Sequence, residues 1–144
     1  DEHEQLAVEE LQTHLEKISG AKADAATIKV DEEKSYIAET KAAKMTPILI
    51  GRITRERLAK QFKKPPMRGA FVLQVADGAV RIQGMEEGSY YGVIELLEQL
   101  GCRWFMPGDL GAVIPKLNTI TIKEQTTKQS PSFTSRHFQM PNRD

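Results

Sequence analysis

The dipeptide Asp77-Gly78 leaves this chain little choice of local structure, because Phe71, Leu73, Val75, Val80 and Ile82 recur on either side of it at every second position. That period is the signature of a half-buried strand. Asp-Gly suits a two-residue type I′ turn, which needs positive φ at both central residues. Such a turn fixes the register of the hairpin. Val75 faces Val80 and Leu73 faces Ile82, so all four lie on one face, while Gln74 and Arg81 pair on the other. The turn chemistry and the apolar pattern predict the same register independently.

The next stretch reads as a glycine-punctuated turn running into a helix. Gly84, Gly88 and Gly92 recur every fourth residue, with charged and polar residues between them. This spacing suits a tight turn into a helix, with Gly92 letting the helix approach the sheet closely. The helix is predicted over about Ser89 to Leu100, with Tyr90, Val93, Ile94, Leu97 and Leu100 as its buried stripe. Gly101 stops it. Further strands are predicted near Cys102–Phe105 and Thr119–Lys123.

Upstream, a first helix is predicted from Glu2 to Ser19, with an apolar stripe of Leu6, Ala7, Leu11, Leu15 and Ile18. Acidic residues crowd its first turn, where the helix dipole favours them. His14 borders the stripe as a packing or capping residue. Ile28 and Val30 fit a short strand, and Asp31 to Lys44 fits a surface helix or a loop. Pro47 to Gly51 reads as a buried strand. Thr54 is positioned to cap a short helix ending near Phe62, before Pro65 and Pro66. The tail from Gln125 is polar and has no evident place in a core. The resulting fold class is α+β, a mixed β-sheet with two main helices packed on one face. The domain spans residues 1–124, and residues 125–144 are a connector.

Several function classes are disfavoured by composition. The chain has 144 residues, 20 basic and 20 acidic, and a formal net charge of zero. A general nucleic-acid binder needs a basic surplus. No apolar run approaches a membrane span. Cys102 is the single cysteine, which excludes an internal disulfide and a cysteine-based zinc site. His3 and His14 are too far apart on one helix to share a metal, and His-Glu-x-x-His is absent. Adjacent acidic pairs occur at Glu9-Glu10, Glu32-Glu33 and Glu86-Glu87. Neighbours on a helix or strand diverge, so none forms the facing carboxylate pair that sugar hydrolysis needs. Asp109, between glycines, reads as a turn residue. Trp104 or Phe105 is a candidate sugar-stacking platform, although only one of two strand neighbours can stand on a given surface. The other reading of Trp104 is packing, in the core or between domains. No catalytic residue, metal ligand or cofactor site is predicted. The chain begins Asp-Glu-His-Glu, already the first turn of a helix and without a leader, as expected of a trimmed piece of a longer protein.

Three stretches together resemble a known family. They are Leu6 to Gly20, then Gly88-Ser-Tyr-Tyr-Gly92 with Leu96 to Pro107, and Ser130-Pro131-Ser-Phe133-Thr-Ser-Arg136. Their order resembles the N-terminal accessory domain of family 20 hexosaminidases and family 67 α-glucuronidases. The tryptophan-bearing version is most similar to related uncharacterised bacterial glycosidase-like proteins. The resemblance implies a mixed sheet with two helices on one side, related in topology to zinc-protease folds but without metal. It implies a non-catalytic domain that precedes a (β/α)₈ barrel carrying the catalytic carboxylates, with carbohydrate as substrate and an extracytoplasmic location. Trp104 and the loop from Pro107 to Gly111 are expected near the junction with the barrel. In family 20 the arginine of a Pro-x-Phe-x-x-Arg stretch contacts the sugar. Pro131, Phe133 and Arg136 match it, with His137 where glycine is usual. The alternatives are a carbohydrate-binding module and a purely structural domain of a catalytically inactive homologue.

Overall fold

The computed structural model describes residues 2–133. Helix α1 spans Glu2–Ser19, and a 3₁₀ turn at Val30–Glu32 leads into α2, Glu33–Ala42. Strand β1 is Ile48–Arg52 and α3 is Arg55–Ala59. The hairpin strands are β2, Phe71–Ala76, and β3, Ala79–Gly84; α4 follows at Gly88–Gln99. Short strands β4, Arg103–Trp104, and β5, Ala112–Val113, flank a 3₁₀ turn, and β6 is Gln125–Gln129.

The main sheet has the order β1-β3-β2-β6, with β1 parallel to β3 and the other pairs antiparallel. The hairpin register is the one the turn predicts: Val75 lies opposite Val80, Leu73 opposite Ile82 and Gln74 opposite Arg81. Asp77 and Gly78 have φ of 54° and 71°, as a type I′ turn requires. Phe71, Leu73, Val75, Val80 and Ile82 are all buried in one cluster with Ala7, Leu11 and Ile18 of α1 and Val93, Leu96 and Leu97 of α4. Burying each large aliphatic side chain of this kind contributes about 1.5–3 kcal/mol.

Glycine brings α4 onto the sheet. A Cβ on Gly84 would stand 1.9 Å from the Ser89 nitrogen, one on Gly88 2.2 Å from the Ala70 carbonyl oxygen, and one on Gly92 2.5 Å from Ile82 Cγ2. No other residue fits at these three positions without movement of the backbone or the core. The face of α4 toward the sheet therefore includes Gly88, Ser89 and Gly92 along with Val93, Leu96 and Leu97. The expected stripe differs in detail. Tyr90 and Ile94 are only half-buried, and Leu96, which it omitted, is fully buried. In α1, Leu6 is about half exposed and His14 takes its place in the buried set.

The sheet's second face is not bare. Val72 points there and packs with Ile53, Leu58, Ala70, Met85 and Phe62, a satellite core under α3. Farther along that face the guanidinium of Arg81 donates to Glu33 Oε1 at 2.9 Å, which ties in α2.

Two expected strands are corrected. Ile28 lies in irregular chain, and Val30 begins the 3₁₀ turn. Residues 119–123 form no strand, although Ile120 and Ile122 pack against the core. The sheet's fourth strand is instead Gln125–Gln129, inside the stretch read as connector, so the sheet runs past residue 124. Its sequence, Gln-Thr-Thr-Lys-Gln, has no apolar residue to reveal it. It is held by backbone pairing to β2 and by Gln125 to Gln99 and Gln129 to Glu95, side-chain hydrogen bonds of 2.6 and 2.8 Å. A polar strand at a sheet edge is the usual protection against edge-to-edge association.

Candidate functional site

Trp104 sits in β4, just past the end of α4, and is half-buried against the main core. Its ring meets His14 edge-on, with centroids 5.4 Å apart and planes at 65°. His14 Nδ1 lies 3.0 Å from the Glu10 carbonyl oxygen, which can only accept, so this nitrogen donates and the ring orientation is fixed. Cys102, two residues earlier, is fully buried, and burial pushes its thiol above the ordinary range. A thiol so held is a poor nucleophile.

Beyond Trp104 the chain forms an apolar loop. Phe105, Met106, Leu110 and Val113 are 75%, 59%, 99% and 51% exposed. Asp109 begins its 3₁₀ turn. Arg136, the other candidate sugar contact, lies outside the described residues. Phe133, of the same motif, is exposed.

At the opposite end of α4, an open cleft of about 530 Å³ lies beyond the carboxyl ends of the parallel strands β1 and β3. Arg52, Ile53, Thr54, Arg55, Arg68, Met85 and Glu86 line it. Thr54 caps α3, its hydroxyl accepting from the Arg57 N–H. The Arg52 N–H donates to Glu4 Oε1 at 2.6 Å. Here two neighbouring carboxylates converge, against the expectation from regular geometry. Arg68 Nε lies 2.7 Å from Glu86 Oε2 and 2.9 Å from Glu87 Oε2. The cause is local: Glu86 has φ of 55°, which turns it toward the same guanidinium as Glu87.

This pair does not have the electrostatics of a catalytic dyad. Burial pushes the Glu87 carboxyl upward, but backbone hydrogen bonding and the Arg68 guanidinium outweigh it and hold the group below its ordinary value. A general acid needs the reverse shift. The other adjacent pairs diverge as expected. Glu9 accepts from Gln5, while Glu10 lies beside His14. Glu32 accepts from the Lys29 N–H, while Glu33 holds Arg81. Among the described residues, no three His, Cys, Asp or Glu side chains are grouped to hold a metal ion. No helix among them is long and apolar enough to cross a membrane.

No protein-family model matches the chain, and no curated protein sequence does. A solved structure shares its fold: a family GH115 4-O-methyl-α-glucuronidase with specificity for decorated arabinogalactans. The TM-score is 0.59 at 22% identity, covering 89% of this chain. The chain spans only 16% of the length of that glucuronidase.

Proposed function

We propose that this domain is a non-catalytic accessory domain of a larger glycoside hydrolase, N-terminal to its catalytic barrel. The observation that carries the reading is the match itself. Nearly the whole chain shares its fold with about a sixth of a glucuronidase, which leaves most of that enzyme to house its chemistry. The residues here agree in kind, since the two neighbouring carboxylates that converge share one guanidinium, Arg68, which helps to hold Glu87 ionised. In this reading the domain supports the barrel by packing, and the barrel supplies the paired carboxylates at the carboxyl ends of its strands. Arg136 reaches the sugar from the connector, its planar fork of donors suited to paired hydroxyl oxygens. The kinship to family 20 and family 67 enzymes, a bacterial source and an extracytoplasmic location belong to the same proposal.

The test is a comparison of this fragment with the full-length protein on aryl glycosides and on glucuronic acid-bearing oligosaccharides. The fragment is expected to show no turnover and the full-length protein to show it. Turnover by the fragment that disappears on mutating a residue within it overturns the reading. Titration of the fragment with the same oligosaccharides separates it from a binding module, which binds them alone.

A further inference from the structure

The charge of this chain is balanced only in total. Residues 52–68 hold seven basic side chains against one acidic, Glu56, a net +6 in a chain whose formal net charge is zero. The remaining residues therefore carry −6. Gathering like charges costs stability through self-repulsion, and it concentrates counter-ions at the surface. The fold fixes which way these side chains point. Ile53, Leu58 and Phe62 pack into the satellite core under α3, and Pro66 is fully buried. The basic residues between them are left exposed. Lys128 joins them from β6. It stands opposite Val72, on the face that bears the satellite core, and its Nζ donates to the Gln61 carbonyl at 3.1 Å. Arg68 is already committed to Glu86 and Glu87. Arg55, Arg57, Lys60, Lys63, Lys64 and Lys128 form no ion pair with any described residue. Arg55 also lines the open cleft beyond β1 and β3, so the basic surface runs into a hollow.

We infer that this face, α3 with the turn that follows it and Lys128 of β6, binds an acidic polysaccharide. Charge complementarity selects a polyanion, and the choice of a carbohydrate one rests on the glycoside hydrolase reading above. The side chains on the face speak against the other polyanions. Single-stranded nucleic acid is held by aromatic stacking as well as by charge. The one aromatic residue of the stretch, Phe62, is spent on the satellite core. A nucleic acid duplex is denser in charge, and it would meet the net −6 of the rest of the chain. Anionic membrane surfaces are gripped by basic residues with exposed apolar ones beside them. None of the large exposed hydrophobic residues falls within 52–68. A polyuronate asks for neither stacking nor insertion, only for guanidinium and ammonium groups to meet its carboxylates. Each exposed contact of this kind is weak, so affinity comes from several along one polymer. An oligosaccharide with a single uronate engages one cation and is not retained.

Binding of the full-length protein to polygalacturonate immobilised on a biosensor tests this. The protein is expected to bind, with an affinity that falls about tenfold between roughly 50 and 200 mM salt. Lys60→Gln, Lys63→Gln and Lys64→Gln together are expected to weaken binding about fivefold or more, since each removes one charge contact with the polymer. The control is Lys22→Gln, Lys34→Gln and Lys123→Gln, three exposed lysines on other parts of the surface. It makes the same change in net charge and is expected to leave binding in place. Equal weakening by the two triple variants overturns the inference, because net charge and not this face would then govern retention. So does equal binding to neutral dextran, or tighter binding to an oligodeoxynucleotide or to phosphatidylserine vesicles. Turnover of an aryl glycoside by the same protein separates the two readings. Binding without turnover sustains the surface and sinks the hydrolase reading, and turnover without binding does the reverse.

Discussion

Trp104 and His14 meet edge to face across the junction of β4 and α1, their ring centroids 5.4 Å apart. The contact joins the segment after α4 to the first helix, and it commits one side of the indole to packing. Truncating a buried tryptophan costs about 3–5 kcal/mol, so Trp104→Ala, at a half-buried site, is expected to destabilise the domain by about 2 kcal/mol. Urea unfolding followed by circular dichroism measures this, since the substitution removes the sole tryptophan. A stability unchanged by Trp104→Ala, with a loss of glycan affinity, returns the indole to the sugar-platform role.

Gly92 offers a second test, because helix propensity and packing oppose each other there. Alanine in a helix interior is favoured over glycine by roughly 1 kcal/mol. Against this, the new methyl would stand 2.5 Å from Ile82 Cγ2 and 3.2 Å from the Phe71 ring, both fully or nearly fully buried. Overpacking a filled core costs about 1–3 kcal/mol. Gly92→Ala is expected to lower stability despite its better propensity, and Gly88→Ala to lower it further, since there the obstacle is backbone. A Gly92→Ala protein with a raised melting temperature would show that α4 is not pinned to the sheet at this point.

The hairpin and both main helices were legible because each has redundant signals. Asp77-Gly78 fixes one register, and the alternation from Phe71 to Ile82 requires the same one. The stripe of α1 and the glycine stop after α4 are of that kind too. Strand β6 was illegible for the opposite reason. Its place in the sheet depends on backbone hydrogen bonds to β2, and its side chains remain polar because it lies at an edge. The convergence of Glu86 and Glu87 on Arg68 was hidden as well. It depends on a positive φ at a glutamate, a backbone state that no residue type there announces. The satellite core under α3 draws on Ile53, Leu58, Ala70 and Met85, dispersed residues with no common period. The candidate site was legible only in outline: Trp104 was singled out, but its partner His14 is ninety residues away in the chain, a pairing periodicity cannot reveal.

Glu87 gives the domain a pH dependence whose sign follows from its environment. Its carboxyl is held below the ordinary range in the folded protein, so folding favours the ionised form. The resulting stabilisation is present above the unfolded value, about 4.3, and is lost as the pH falls through the lower folded value. Arg68→Ala removes the partner. The Glu87 midpoint, followed by carboxyl carbon NMR, is expected to move upward in that variant. An unmoved midpoint would assign the shift to the backbone hydrogen bonding alone.

Arg136 carries the last prediction. It follows Ser130, whose hydroxyl accepts from the Met67 N–H at 2.9 Å, the last described polar contact between the tail and the domain. Beyond that contact Pro131, Phe133 and Arg136 repeat the Pro-x-Phe-x-x-Arg order that resembles the family 20 sugar contact. An arginine that serves substrate and not the sheet leaves stability within about 0.5 kcal/mol when truncated, as surface substitutions do. In the full-length protein, Arg136→Ala is therefore expected to lower kcat/KM while leaving the unfolding midpoint in place. Arg136→Lys should recover little of the loss, because a single ammonium cannot reproduce the planar pair of donors. If kcat/KM is unchanged in both variants, Arg136 is a solvated linker residue and the sugar contact belongs elsewhere in the chain.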